Sequence, residues 1–167
     1  MKRILVIGSP GSGKSTLSRK LSQKLNIPCV HLDKLWWKED WVHVSREEFD
    51  VLLQIELEKD SWIMDGNFNR TLQHRLEYAD TVIWLDFPTP VCLWRVWHRR
   101  GKKRPDMPQN CVEKMNRDFV EFLIYICKFK KNNNHRITQL LENCTADVIV
   151  IKNNKQLKEF EKGIGIE

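Results

Sequence analysis

The sequence predicts a single α/β domain over residues 1–167, a three-layer sandwich with helices on both faces of a five-stranded parallel sheet. Three observations carry this expectation. Apolar runs alternate with amphipathic stretches along the whole chain, the apolar runs lack the alternation of a sheet with one wet face, and the first run ends in a glycine-rich turn that opens a helix. At 167 residues and 41% apolar composition, the chain buries one sizeable core and leaves little room for a second domain.

The strands are expected at Arg3–Ile7, Pro28–His31, Trp62–Met64, Thr81–Leu85 and Asp147–Ile151. Between and after them lie helical patterns at Lys14–Leu25, roughly Arg46–Asp60, Pro88–Arg100, Cys111–Lys130 and about Asn154–Lys162. In the first helix Leu17, Leu21 and Leu25 form an i, i+4, i+8 stripe, with Ser18, Arg19, Lys20 and Gln23 expected outside. Ser45 followed by Glu48 is a capping box that starts the second. The triplet Asn132-Asn133-Asn134 reads as a turn between helices with no chemistry attached.

After the first strand, Gly8-Ser9-Pro10-Gly11-Ser12-Gly13-Lys14-Ser15-Thr16 satisfies G-x-x-x-x-G-K-[ST] in full. Glycines let the backbone curl closely around an anion, and the loop's N–H groups and the helix N-terminus face the same phosphate. By this geometry Lys14 reaches the β- and γ-oxygens of ATP, Ser15 ligates Mg2+, and Thr16 lies near the α-phosphate.

Three further segments follow strands. After the second, His31-Leu32-Asp33 precedes Trp36, Trp37 and Trp41. Asp33 reads as a base for a substrate hydroxyl, as a metal-water ligand, or as a helix-capping loop acid, and the tryptophans as stacking surfaces or as core. After the third, Asp65-Gly66-Asn67-Phe68-Asn69-Arg70-Thr71 supplies an acid of Walker-B type in Asp65, Asn67 beside it, and a guanidinium fork in Arg70 for a phosphate or carboxylate of the second substrate. Asp86, after the fourth, is the rival metal acid and also reads as a plain strand end.

Net charge is +6, yet residues 94–136 hold 12 Lys/Arg against 4 Asp/Glu. Arg95 and Arg99 share one helix face, and a Gly/Pro-punctuated cationic loop follows over about residues 100–112. Such a loop reads as a lid over a transferring phosphoryl group, as a nucleic-acid surface, or as a solvated basic face. Five cysteines, none in C-x-x-C spacing, point to reduced thiols and a cytoplasmic setting without zinc. No stretch is long enough to span a membrane.

With these residues assembled, the chain resembles adenylate-kinase-like P-loop kinases, an NTPase fold. Within them it is similar to the small proteins labelled DNA topology modulation proteins, through His31–Trp37, Trp62–Asn67 and Arg104–Pro108. The resemblance implies ATP and Mg2+ as cofactors and a small-molecule or nucleotide acceptor, bound in a region of about residues 33–60 beneath a short lid. It also implies that Arg70 contacts an acceptor phosphate, that Arg95 packs on adenine and that Arg99 contacts ATP phosphates. His31-Leu32-Asp33 replaces the Thr-Gly element of nucleoside monophosphate kinases, and an Asp there is closer to kinases of shikimate and gluconate type, whose acceptor is a hydroxyl. The expected activity is ATP- and Mg2+-dependent phosphoryl transfer, with Lys14, Asp33 and Arg99 catalytic. The alternative is a nucleotide-gated DNA-binding or regulatory protein.

Overall fold

The computed structural model describes residues 1–108 and 111–166; Gln109 and Asn110 of the expected lid, and Glu167, lie outside the described residues. Five strands, β1 (Arg3–Gly8), β2 (Cys29–His31), β3 (Trp62–Asp65), β4 (Thr81–Leu85) and β5 (Asp147–Ile151), form one parallel sheet in the order β2-β3-β1-β4-β5. Among the described residues seven helices accompany them: α1 (Lys14–Leu25), α2 (Leu32–Trp36), α3 (Arg46–Leu57), α4 (Leu72–Tyr78), α5 (Thr89–Arg99), α6 (Arg117–Glu142) and α7 (Asn154–Ile164), with a 3-10 turn at Glu39–Trp41.

The pleat divides the central strand between two cores. Ile4 and Val6 pack with Leu17, Leu21, Cys92 and Val96 under α1 and α5, whereas Leu5 and Ile7 pack with Phe49, Leu53 and Leu76 under α3 and α4. Asp65 lies two residues after Ile63, which belongs to the α1 side, so the pleat turns its carboxylate toward the phosphate loop. α6 joins both cores, Phe119 and Ile126 entering the first and Phe129, Ile137 and Leu141 the second.

Four expectations are corrected. The edge strand β5 is not covered on both faces, since Val148 and Val150 stand 38% and 40% exposed. Ser18 is buried against the sheet instead of facing solvent. The helix expected from Cys111 starts only at Arg117, because Asn116 caps it by accepting from the Phe119 N–H at 2.9 Å while Glu113 stays extended to accept from the Gly101 N–H at 2.9 Å. It then runs through the asparagine triplet to Glu142. The triplet's weak helix propensity is offset by partners: Asn133 donates to the Phe129 carbonyl at 2.8 Å, and Asn134 to Asp86 Oδ1 at 3.2 Å. Two short helices, α2 and α4, form in segments where the sequence shows no helical pattern.

Arg75 on α4 holds the β3–α4 loop. Fully buried, it donates to the carbonyls of Gly66, Asn67 and Phe68, and burial pushes its guanidinium down to about 9. Among the described residues no helix is long and apolar enough to cross a membrane.

Two substitutions test what seats these loops. At Gly11, with φ +81°, an added Cβ would meet the Cys92 carbonyl oxygen at 2.3 Å. Gly11→Ala is therefore expected to cost about 2–4 kcal/mol in urea unfolding. Arg75→Met leaves three carbonyls without their donor and is expected to cost about 3 kcal/mol by the same measurement.

Candidate active site

The loop after β1 wraps as the motif requires. Gly8, Gly11 and Gly13 take φ of 145°, 81° and 102°, values that glycine adopts readily, and Gly13 caps α1. The Ser12 N–H closes the turn on the Ser9 carbonyl at 3.1 Å, and Asn67 Oδ1 accepts from the Gly8 N–H at 3.2 Å. Lys14 Nζ donates to the Gly8 and Ser9 carbonyls at 2.8 and 3.0 Å, so its ammonium stands inside its own loop. Burial pushes it down to about 8, against the pull of Asp65 and Asp33.

A cavity of about 630 Å³ opens over this loop. Pro10, Gly11, Gly13, Lys14, Ser15 and Thr16 form its floor; Asp33, Asp65 and Asn67 come from the strand ends. Arg99, Arg104 and Asp106 close it from the lid side, and α6 contributes Phe122, Tyr125 and Asn133.

Asp65 is 3% exposed and sits opposite His31 in the parallel register. Its Oδ1 bonds His31 Nδ1 at 2.7 Å. Burial alone would lower the His31 pKa, but the Asp65 hydrogen bond, with Cys29 adding to it, lifts it to about 10. His31 is thus a cation at neutral pH. Asp65 Oδ2 is buried without a hydrogen-bond partner, an arrangement that suits the water shell of a divalent cation beside Ser15. Burial raises the Asp33 pKa, with Arg104 and Lys14 pulling the other way.

The lid side is an ion network. Arg99 grips Glu113 with bonds of 2.7 and 3.1 Å, and Arg104 reaches Glu113 at 3.2 Å and also pairs with Asp106. Burial would raise the Asp106 pKa, but the Arg104 fork, joined by the Ser15 hydroxyl, holds it at about 2.

Several expected residues stand elsewhere. Arg70 does not enter the cavity. Phe68, with φ +29°, turns the chain so that Arg70 leaves the pocket and forms a two-pronged exposed pair with Asp50 at 2.5 and 2.9 Å. Arg95 does not line the cavity either: it donates to the Ser12 carbonyl at 2.8 Å and to Asn154 at 2.7 Å, its guanidinium 4.6 Å above Phe87. Trp36 is core, stacked on His43 and edge-on to Phe49. Trp37 instead lines an adjoining cavity with Trp41. Asp86 pairs with Lys130 at 2.7 Å and lies outside the main cavity, a strand end in service of α6.

His31, Asp106, Glu113 and Asn133 were not assigned roles from the sequence, and Arg104 was read only as one of the lid cations. His31 had a signal in its position two residues before Asp33, at a strand end. Glu113 had none, since its partners lie 9 and 14 residues away along a loop without periodicity.

Comparison with known proteins places this arrangement. The sequence profile of the AAA domain family matches residues 4–117. Adenylate kinase of Wigglesworthia glossinidia brevipalpis is 33% identical over 101 residues, 51% of this chain and 47% of that protein, so the match spans about half of that relative's length. Shikimate kinase of Sulfurihydrogenibium sp. (strain YO3AOP1) is 25% identical over 138 residues, 72% of this chain and 80% of that protein. Among solved structures, shikimate kinase from Acinetobacter baumannii in complex with shikimate superposes with TM-score 0.60 at 16% identity, covering 98% of this chain and 93% of that one. A gluconokinase from Sinorhizobium meliloti 1021 gives 0.54 at 12% identity, covering 98% and 89%. These structural likenesses establish a P-loop kinase fold. With its phosphate loop inside a profile match that spans more than half of its length, the chain belongs to the AAA domain family.

Proposed function

We propose that the protein is a kinase that transfers the γ-phosphoryl group of ATP to the hydroxyl of a small acceptor. The observation that carries this reading is one cavity joining the phosphate loop to Asp33, Asp65, Arg99 and Arg104, which shares Asp33, Arg104 and Phe122 as walls with an adjoining cavity of about 590 Å³.

In this reading the loop N–H groups and Lys14 hold the nucleotide phosphates, and Ser15 and Asp65 hold Mg2+. That ion, when bound, neutralises charge on the β- and γ-oxygens. Asp33 takes the acceptor's proton as the acceptor oxygen attacks the γ-phosphorus. The bond from that phosphorus to the β,γ-bridging oxygen breaks, and ADP leaves. The raised pKa of Asp33 makes it a stronger base than an ordinary carboxylate. Arg99 and Arg104 stabilise the equatorial oxygens.

Four of the twelve cations of residues 94–136, Arg95, Arg99, Arg104 and Lys130, are engaged inside the molecule, which favours a kinase over a nucleic-acid surface built on them. Adenylate kinase and shikimate kinase as sequence relatives point the same way.

The basic test is ATP turnover by the purified protein with Mg2+ and a panel of hydroxyl acceptors. Lys14→Ala is expected to abolish turnover in a protein that still unfolds cooperatively; retained turnover would refute the site. The Lys14 ammonium is the binding form, so nucleotide affinity is expected to weaken as pH rises through about 8, and Lys14→Arg to flatten that profile in a titration of Kd against pH. For Asp33→Asn the acceptor-stimulated kcat is expected to fall roughly 10²–10⁴-fold while ATP affinity holds.

A further inference from the structure

The second cavity, about 590 Å³, determines which acceptors fit. One side is aromatic: Trp37 and Trp41 meet edge to face with ring centroids 5.4 Å apart. The backbone that presents them is strained. Asp40 and Trp41 take left-handed φ of 55° and 61°, a region that a bulky L residue such as Trp41 rarely adopts. Core packing does not offset this, since Trp41 is 41% exposed. The turn is nonetheless closed, the Lys38 N–H on the Val42 carbonyl at 2.6 Å and the Val44 N–H on the Trp36 carbonyl at 2.9 Å. A strained turn holding an indole at a cavity mouth is a feature of binding sites.

Much of the remaining lining is acidic. Among the described residues Asp33, Asp40 and Asp118 line the cavity outside an ion pair, Glu113 is held by Arg99 and Arg104, and the cations of the lining are Arg104 and Lys114. Arg104 is already paired with Asp106 and Glu113, which leaves Lys114 as the one cation lining this cavity outside an ion pair among the described residues. Arg70, the residue expected to anchor an acceptor anion, is turned out to Asp50. A nucleotide in the neighbouring pocket adds further negative charge at short range. An anionic acceptor would meet repulsion from the carboxylates and from the nucleotide, whereas an ammonium group would meet the carboxylates and the indoles of Trp37 and Trp41.

We infer that the acceptor is an ammonium-bearing hydroxyl compound, an amino sugar or amino alcohol in class, seated with its cation against Trp37 and Trp41 and its hydroxyl at Asp33. This rests on the kinase reading above and names its substrate. The acceptor oxygen gains the phosphoryl group, its proton passes to Asp33, and ADP departs.

The experiment has two arms. In the first, ADP release from ATP and Mg2+ is measured with glucosamine against glucuronate and ethanolamine against glycolate, for the wild type and an Asp40→Asn/Asp118→Asn double variant. In the second, tryptophan fluorescence is quenched with caesium and with iodide, and the contribution of Trp41 is taken as the difference between wild type and Trp41→Phe. The amine of each pair is expected to show kcat/KM roughly tenfold or more above its acid, a preference that shrinks in the double variant. The Trp41 signal is expected to be quenched several times more by caesium than by iodide. An acid that stimulates turnover as well as its amine overturns the inference, and so does iodide quenching equal to that of caesium. If no compound stimulates turnover, the quenching arm decides alone. Failure of the kinase reading itself is seen separately, as ATP turnover that Lys14→Ala does not reduce.

Discussion

The phosphate loop depends on side chains that are missing. It runs so close to β4 and α5 that a Cβ on Gly8 would lie 2.4 Å from the Leu85 carbonyl oxygen, and one on Gly11 2.3 Å from that of Cys92. Backbone atoms do not yield as a lysine tip does, so these contacts fix the loop's height above the sheet. Every other group at the site is placed relative to that height. Two arginines complete the seating by binding carbonyls and not anions: Arg95 takes Ser12 from below the phosphate loop, and Arg75 takes three carbonyls of the loop after β3. Guanidinium groups suit this task because their donors form a rigid fork and their charge persists when buried.

The electrostatic order of the site follows from the sheet register. Parallel pairing sets His31 opposite Asp65, and the pleat turns both toward α1. His31 takes one carboxylate oxygen of Asp65 and leaves the other buried without a hydrogen-bond partner. Asp33, without such a partner, is raised by burial. The two acids of one cavity thus stand in different surroundings, Asp65 hydrogen-bonded to His31 and Asp33 buried near Arg104 and Lys14.

The strands were legible to within a residue because the inner ones, buried on both faces, need unbroken apolar runs and the edge strand β5 is apolar although partly exposed, and the loop because its chemistry fixes residue types at fixed spacing. What was not legible depended on tertiary partners. Arg70 and Arg75 are both arginines near the same strand end; only the left-handed turn at Phe68 decides that the first faces solvent and the second the loop. Trp36 and Trp37 are adjacent, yet a one-residue step around α2 sends one into the core and the other to a cavity. The asparagine triplet reads as a turn by propensity and is helical because Phe129, Asp86 and Asn69 supply partners. In the lid, the acids that matter lie in a stretch without periodicity, so no pattern announced them.

Those acids change what it means for nucleotide to enter. Arg99, Arg104, Asp106 and Glu113 already balance one another, two positive against two negative. Under the proposed kinase reading, an arriving triphosphate would not meet bare cations; it would have to displace carboxylates from the guanidinium groups it takes. Entry would then be an ion exchange, in which a ligand of few charges gains little and a multiply charged one gains a great deal. Such an arrangement would discriminate against small anions such as free phosphate by valence, before shape is consulted.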